Sequence, residues 1–117
     1  MSTKNPYESL KTVCLSDVEP VEAQSTWTVT YDNRESVKIT TSLLPDGSWV
    51  YGYSVYWANG RTSLRQPSAG NGLFRAQRDA QLYALGFMLA FASYFTEDTR
   101  AALRSAEASL SQTELFS

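Results

Sequence analysis

Between residues 26 and 66 apolar and polar side chains alternate with period two, the spacing of strands that bury one face. "TWTVTY" sets Trp27, Val29 and Tyr31 against Thr26, Thr28 and Thr30. "ESVKITTSLL" aligns Val37, Ile39, Thr41 and Leu43, and "SWVYGYSVYW" aligns Trp49, Tyr51, Tyr53, Val55 and Trp57. The intervening turns set the register. Leu44-Pro45-Asp46-Gly47 suits a type I turn closed by a left-handed glycine, pairing Leu43 with Trp49, Ile39 with Tyr53 and Val37 with Val55. A turn over Asp32-Asn33-Arg34 pairs Val29 with Val37 and Trp27 with Ile39. Asn59-Gly60 predicts a two-residue type I′ turn that pairs Trp57 with Thr62, Val55 with Leu64 and Ser54 with Arg65. The large apolar residues then share one face. The other face is expected to be polar and mildly basic, with rows Thr28, Lys38, Ser54, Arg65 and Thr30, Ser36, Tyr56, Ser63. Gly52 opposite Thr40 would leave bare backbone there.

After a Gly-rich connector the period changes. "FRAQRDAQLYALGFMLAFASYF" predicts a long helix over about 73–95, with Asp79 in or near its first turn. Leu82 to Ala92 carries no charged side chain; it is too short to span a bilayer, and a helix apolar all round needs cover on more than one side. Thr96 caps a second helix over about 97–110, with Glu97 and Asp98 in its first turn and a weakly apolar face of Leu103, Ala106 and Leu110. Residues 1–24 read as an arm in which Asn5, Pro6 and Glu8 favour a short helix with Tyr7, Leu10 and Val13 or Cys14 on one face. The fold expected is therefore α+β, a single domain over 25–117. A four-stranded antiparallel meander (26–66) packs one face on the long helix, joined by the shorter C-terminal helix and the arm. An alanine-rich last helix covers little area, so the flanks of Phe87, Met88, Phe91 and Tyr94 are expected to form a homodimer interface.

Composition narrows the chemistry. The chain has 117 residues, enough for one domain with a core, and its net charge of −2 argues against coating duplex DNA by bulk charge. It has no histidine and one cysteine, Cys14, which excludes His-based triads, the usual zinc sites and an internal disulfide. The N-terminus shows no apolar leader segment, and a reducing, cytoplasmic setting is expected. The carboxylates fall mostly in turns, the arm and helix ends, and no phosphate-loop or dinucleotide motif is present. No enzyme, cofactor or metal is expected.

"GRTSLRQPSAGNGLFRAQRDA" gathers Arg61, Arg65, Arg75 and Arg78 around a loop that leads into a helix N-terminus. Forked guanidinium groups and free N–H groups suit a phosphate or carboxylate. Tyr56 with Lys38, Arg61 and Arg65 on the outer face would suit a stacked base or an acidic patch. The plain alternatives are a connector and a solvated sheet face. Two functions are in view. One is a non-enzymatic binding protein, dimeric, acting as an inhibitor or adaptor of an unidentified protein partner, as small phage or mobile-element accessory proteins do. The other is a binder of single-stranded nucleic acid or a small nucleotide through those arginines. A purely structural subunit would instead assemble beyond a dimer.

Overall fold

The computed structural model describes residues 5–12, 19–31 and 34–113, so Val13, Cys14 and the Asp32-Asn33 half of the first turn lie outside the described residues. Strands β1 (Ser25–Tyr31), β2 (Ser36–Leu43), β3 (Trp49–Tyr56) and β4 (Thr62–Arg65) form one sheet in the order β1-β2-β3-β4, antiparallel throughout. Helices α1 (Gln77–Leu89) and α2 (Glu97–Thr113) complete an α+β domain. The core lies between α1 and the inner sheet face, where Val37, Ile39, Tyr51 and Val55 meet Phe74, Tyr83, Ala84 and Leu85.

The middle hairpin has the expected register, with Leu43 opposite Trp49, Ile39 opposite Tyr53 and Val37 opposite Val55. The Leu44 N–H donates to the Ser48 carbonyl (2.8 Å), Gly47 sits at φ 90°, and Asp46 Oδ1 accepts from the Ser48 N–H. Both flanking hairpins depart from expectation by one residue. At β3–β4 the turn holds three residues, not two. The Trp57 N–H donates to the Arg61 carbonyl (2.8 Å), Gly60 takes φ 89°, and Asn59 Oδ1 accepts from the Arg61 N–H. Trp57 therefore faces Arg61, Val55 faces Ser63 and Ser54 faces Leu64. At β1–β2 the pair Trp27 and Ile39 holds, but a bulge at Val29 shifts the rest, so Thr30 faces Val37 and Tyr31 faces Ser36.

Because side chains alternate with period two, each slip exchanges the faces of the residues beyond it. The outer rows become Thr28, Lys38, Ser54, Leu64 and Tyr31, Ser36, Tyr56, Thr62. Arg65 moves to the helix side, opposite Tyr53. The outer face is thus less basic and more apolar than its sequence suggests. Nor is Gly52 bare. The chain after β4 crosses it, and a Cβ at that position would collide with the Arg65 carbonyl and the Gln66–Pro67 backbone. Residues 21–24 cover the same end, where the Val21 N–H donates to the Pro67 carbonyl (2.8 Å) and Ser42 Oγ to the Glu22 carbonyl.

The long helix is also shorter than expected. Phe74 exchanges backbone hydrogen bonds with Trp49 (2.9 and 2.8 Å), which holds Leu73 and Phe74 against the sheet edge and delays α1 to Gln77. After Leu89 the chain passes through a 3₁₀ turn, Ala92–Tyr94, where Arg100 Nη1 donates to the Ala92 and Phe95 carbonyls (3.3 and 2.8 Å). The arm packs on its own domain as a 3₁₀ turn, Glu8–Leu10. Asn5 Oδ1 accepts from the Tyr7 N–H, Asn5 Nδ2 donates to the Tyr83 carbonyl, and the Tyr7 hydroxyl donates to Glu107 (2.6 Å). Gly86 makes room for Asn5 and Tyr7 against α1. The arm and α2 thus supply cover for α1 within one chain.

Gly52→Ala should therefore lose about 2 kcal/mol or more of stability, because only backbone stands in the way of the new methyl. Ser54→Ala, on the same face at its open end, should stay within about 0.5 kcal/mol. Urea unfolding compares them; a neutral Gly52→Ala would refute the crossing.

Candidate binding groove and edge strand

Beyond Arg65 the chain leaves the sheet edge and rejoins it at Phe74. On β3, Trp57, Val55 and Tyr53 pair with β4, and Trp49 pairs with Phe74. The gap at Tyr51 is closed by a side chain. Asn71 Nδ2 donates to the Tyr51 and Gln66 carbonyls (2.8 and 3.1 Å), and Asn71 Oδ1 accepts from Arg65 Nη1 (3.1 Å). The loop's own N–H groups are also occupied: Gly70 donates to Ser68 Oγ, Asn71 to the Ser68 carbonyl and Gly72 to the Ala69 carbonyl. Its polar groups are engaged in holding the connection together, not in presenting a cradle.

The predicted binding residues are scattered. Arg61 stands at the Trp57 end of β3, whereas Arg75 follows Phe74 at the Trp49 end, about 26 Å away at strand spacing. Arg65 lies midway, opposite Tyr53, and Arg78 reaches Asp79 at 3.5 Å in the first turn of α1. Lys38 and Tyr56 lie on the outer face. Of the predicted dimer residues, Met88 is buried in its own core and Phe87 half-buried, while Phe91 and Tyr94 are exposed.

Those last two border a groove of about 710 Å³ on the helix side of the sheet. Inward residues Tyr53 and Val55 of β3, with Trp57 just beyond it, form its floor, Phe87 and Met88 at the end of α1 form one wall, and Phe91, Tyr94 and Phe95 follow in the turn. Arg61, Thr62 and Ser63 form the other rim. Trp57 stacks on Phe95 (4.6 Å between centroids, 16° between planes), and Phe87 meets Phe91 edge-on at 5.2 Å. The Trp57 indole N–H is held by Ser63 Oγ at 3.0 Å. Among the described residues Arg61 is the only Lys, Arg, Asp or Glu in the lining. Such a surface can stack rings and cover apolar side chains, with one cation at its rim.

Glu35 closes this end of the fold. It is 1% exposed, and its Oε1 accepts from the Thr96 N–H (3.0 Å), the Thr96 hydroxyl (2.8 Å) and the Thr99 hydroxyl (2.6 Å). The Ala58 N–H in the β3–β4 turn donates to the same carboxylate. Burial pushes the Glu35 carboxyl up, but the donors from Thr99, Thr96 and Ala58 outweigh it and hold it below the ordinary glutamate value. Phe95, next to Thr96, is thereby fixed against Trp57. Glu35 was missed from sequence; the signal that could have found it is alternation, since it shares the parity of Val37 and Ile39 and so points inward.

Other carboxylates are engaged in structure: Glu8 pairs with Lys11 (2.7 Å), Asp79 with Arg78, and Glu107 with Tyr7. Among the described residues no three His, Cys, Asp or Glu stand where they could hold a metal ion, and no helix is long and apolar enough to cross a membrane. Comparison with protein-family models, curated proteins and solved structures finds no match to this chain.

A depressed folded-state pKa stabilises the protein above the unfolded value near about 4.3 and is lost as pH falls through the folded value. Glu35→Gln should thus cost about 2–3 kcal/mol at pH 7, and the gap from wild type should narrow below about pH 4. Thermal melts across pH 3–7 check this. A gap independent of pH would contradict it.

Proposed function

We propose that this chain is a non-enzymatic, cytoplasmic binding protein, an inhibitor or adaptor that engages a protein partner at the groove and the adjoining β4 edge. The supporting observation is the placement of exposed apolar side chains. Among the described residues the exposed large hydrophobics are Tyr31, Leu43, Tyr56, Leu64, Phe91 and Tyr94, and four of them, Tyr56, Leu64, Phe91 and Tyr94, flank β4. Tyr56 and Leu64 do so from the outer face; Phe91 and Tyr94 do so across the groove. Exposed apolar side chains concentrated in one region mark an interaction surface.

The arginine-based alternative, a nucleotide or single-stranded nucleic acid, has less to stand on. Its four guanidinium groups are spread along the sheet edge and the start of α1, and the Gly-rich loop uses its N–H groups internally. A homodimer is likewise not needed to cover α1, since the arm and α2 do so.

Leu64 and Tyr94 are 75% and 71% exposed, so their replacement should leave stability within about 0.5 kcal/mol. Immobilised wild type and the Leu64→Ser/Tyr94→Ser variant should differ in what they retain from host lysate. Proteins enriched on wild type should fall about tenfold or more on the variant, measured by quantitative mass spectrometry. Equal capture would overturn the reading.

A further inference from the structure

Resting on that binding-protein reading, we propose that the partner contributes an extended acidic segment that adds to the sheet alongside β4. The hydrogen-bond pattern sets the geometry. The bonded Trp57–Arg61 position makes Val55–Ser63 and Tyr53–Arg65 the next hydrogen-bonded pairs. Thr62 and Leu64 therefore turn their backbone N–H and C=O groups away from β3, toward the open side. An incoming strand can bond to both, as in other strand-addition complexes.

Charge identifies the occupant. On the groove side Ser63 and Arg65 of β4 follow Arg61 at its start, and the two arginine Cα atoms are about 13 Å apart at strand spacing. Among the described residues the ion pairs are Glu8–Lys11 and Arg78–Asp79, so neither arginine is paired with a carboxylate there; Arg65 Nη1 donates to the neutral Asn71 Oδ1. A second copy paired antiparallel about Ser63 would set Arg61 against Arg65 of its mate, a like-charge contact that destabilises a sheet. A strand with carboxylates four residues apart meets both arginines. Its middle residue, opposite Ser63, is on the groove side, where Phe91 and Tyr94 favour an aromatic ring. The residues between lie on the outer side and cover Leu64. The preferred segment thus reads acidic, apolar, aromatic, apolar, acidic, a pattern that serves either strand direction. The other edge is less inviting, because β1 carries the bulge at Val29, a device that disrupts strand addition.

The test is selection from a random twelve-residue peptide display library on wild type, Leu64→Pro and Arg61→Glu/Arg65→Glu. Proline at an outward-facing edge position removes the donor and keeps the β3–β4 pairs. Thr62→Pro serves if Leu64→Pro melts early. Wild type should enrich carboxylates four apart around an aromatic residue, with binding reduced about tenfold or more by the proline. The charge-reversed variant should enrich lysine or arginine at that spacing. No enrichment, enrichment without acidic residues, or equal binding to the proline variant overturns the strand proposal. So does a dimer in sedimentation that Leu64→Pro makes monomeric, or salt-sensitive retention of an oligonucleotide that needs Arg61 and Arg65. Peptides that bind the proline variant but not Leu64→Ser/Tyr94→Ser sink the strand and leave the binding-protein reading standing. Loss of both the peptide selection and the differential lysate capture sinks both.

Discussion

A carboxylate that is 1% exposed has to be surrounded by donors, and Glu35 gathers them from parts of the chain that have no other reason to meet. It stands just before β2, yet it engages Thr96 and Thr99 at the start of α2 and Ala58 in the β3–β4 turn. Negative charge at a helix N-terminus is favourable, and here Glu35 adds it from the sheet side to that of Glu97 and Asp98 in the helix's own first turn. The consequence is geometric. With Thr96 fixed, the chain leaving α1 must bend at Ala92–Tyr94, and Phe95 is laid on Trp57. That bend gives the groove its wall of aromatic rings.

The second constraint is completion of β3. Each outward-bonding position of that strand finds a partner in turn: β4, then the Asn71 side chain, then Phe74. The Asn71 amide gives the Tyr51 carbonyl a donor at the point where the chain crosses over Gly52. It also explains why the Gly-rich loop is not a phosphate cradle. With the polar groups of the loop engaged this way, what stays open on this side of the sheet is the far edge of β4. That edge is bracketed by apolar side chains on both faces, and our functional reading rests there.

The architecture and the middle hairpin were legible because alternation and turn chemistry agreed over Leu43–Trp49. The outer face was not, because it hinged on single residues. "LPDGS" and "WANGR" share one arrangement, an Asp-Gly or Asn-Gly at the third and fourth positions, and both fold as three-residue turns with glycine at φ near 90°. Reading the second by its Asn-Gly dipeptide alone displaced Leu64 and Arg65 to the wrong faces. The bulge at Val29 had no local signal; it lets Val29 pack on the core while sending Tyr31 outward. The helix ends were set by distant partners, Trp49 for the start of α1 and Glu35 for the start of α2. A purely local pattern could not supply them.

In the strand-addition proposal Thr62 and Leu64 offer their outward backbone groups to an acidic strand. Residue-resolved amide exchange by NMR reads this directly. In the free protein Ser63 and Arg65 should exchange slowly and Thr62 and Leu64 fast. Adding a peptide with glutamates four apart around an aromatic should then slow Thr62 and Leu64 selectively. Slow exchange at those two amides in the free protein, or a peptide that binds without slowing them, would contradict the account.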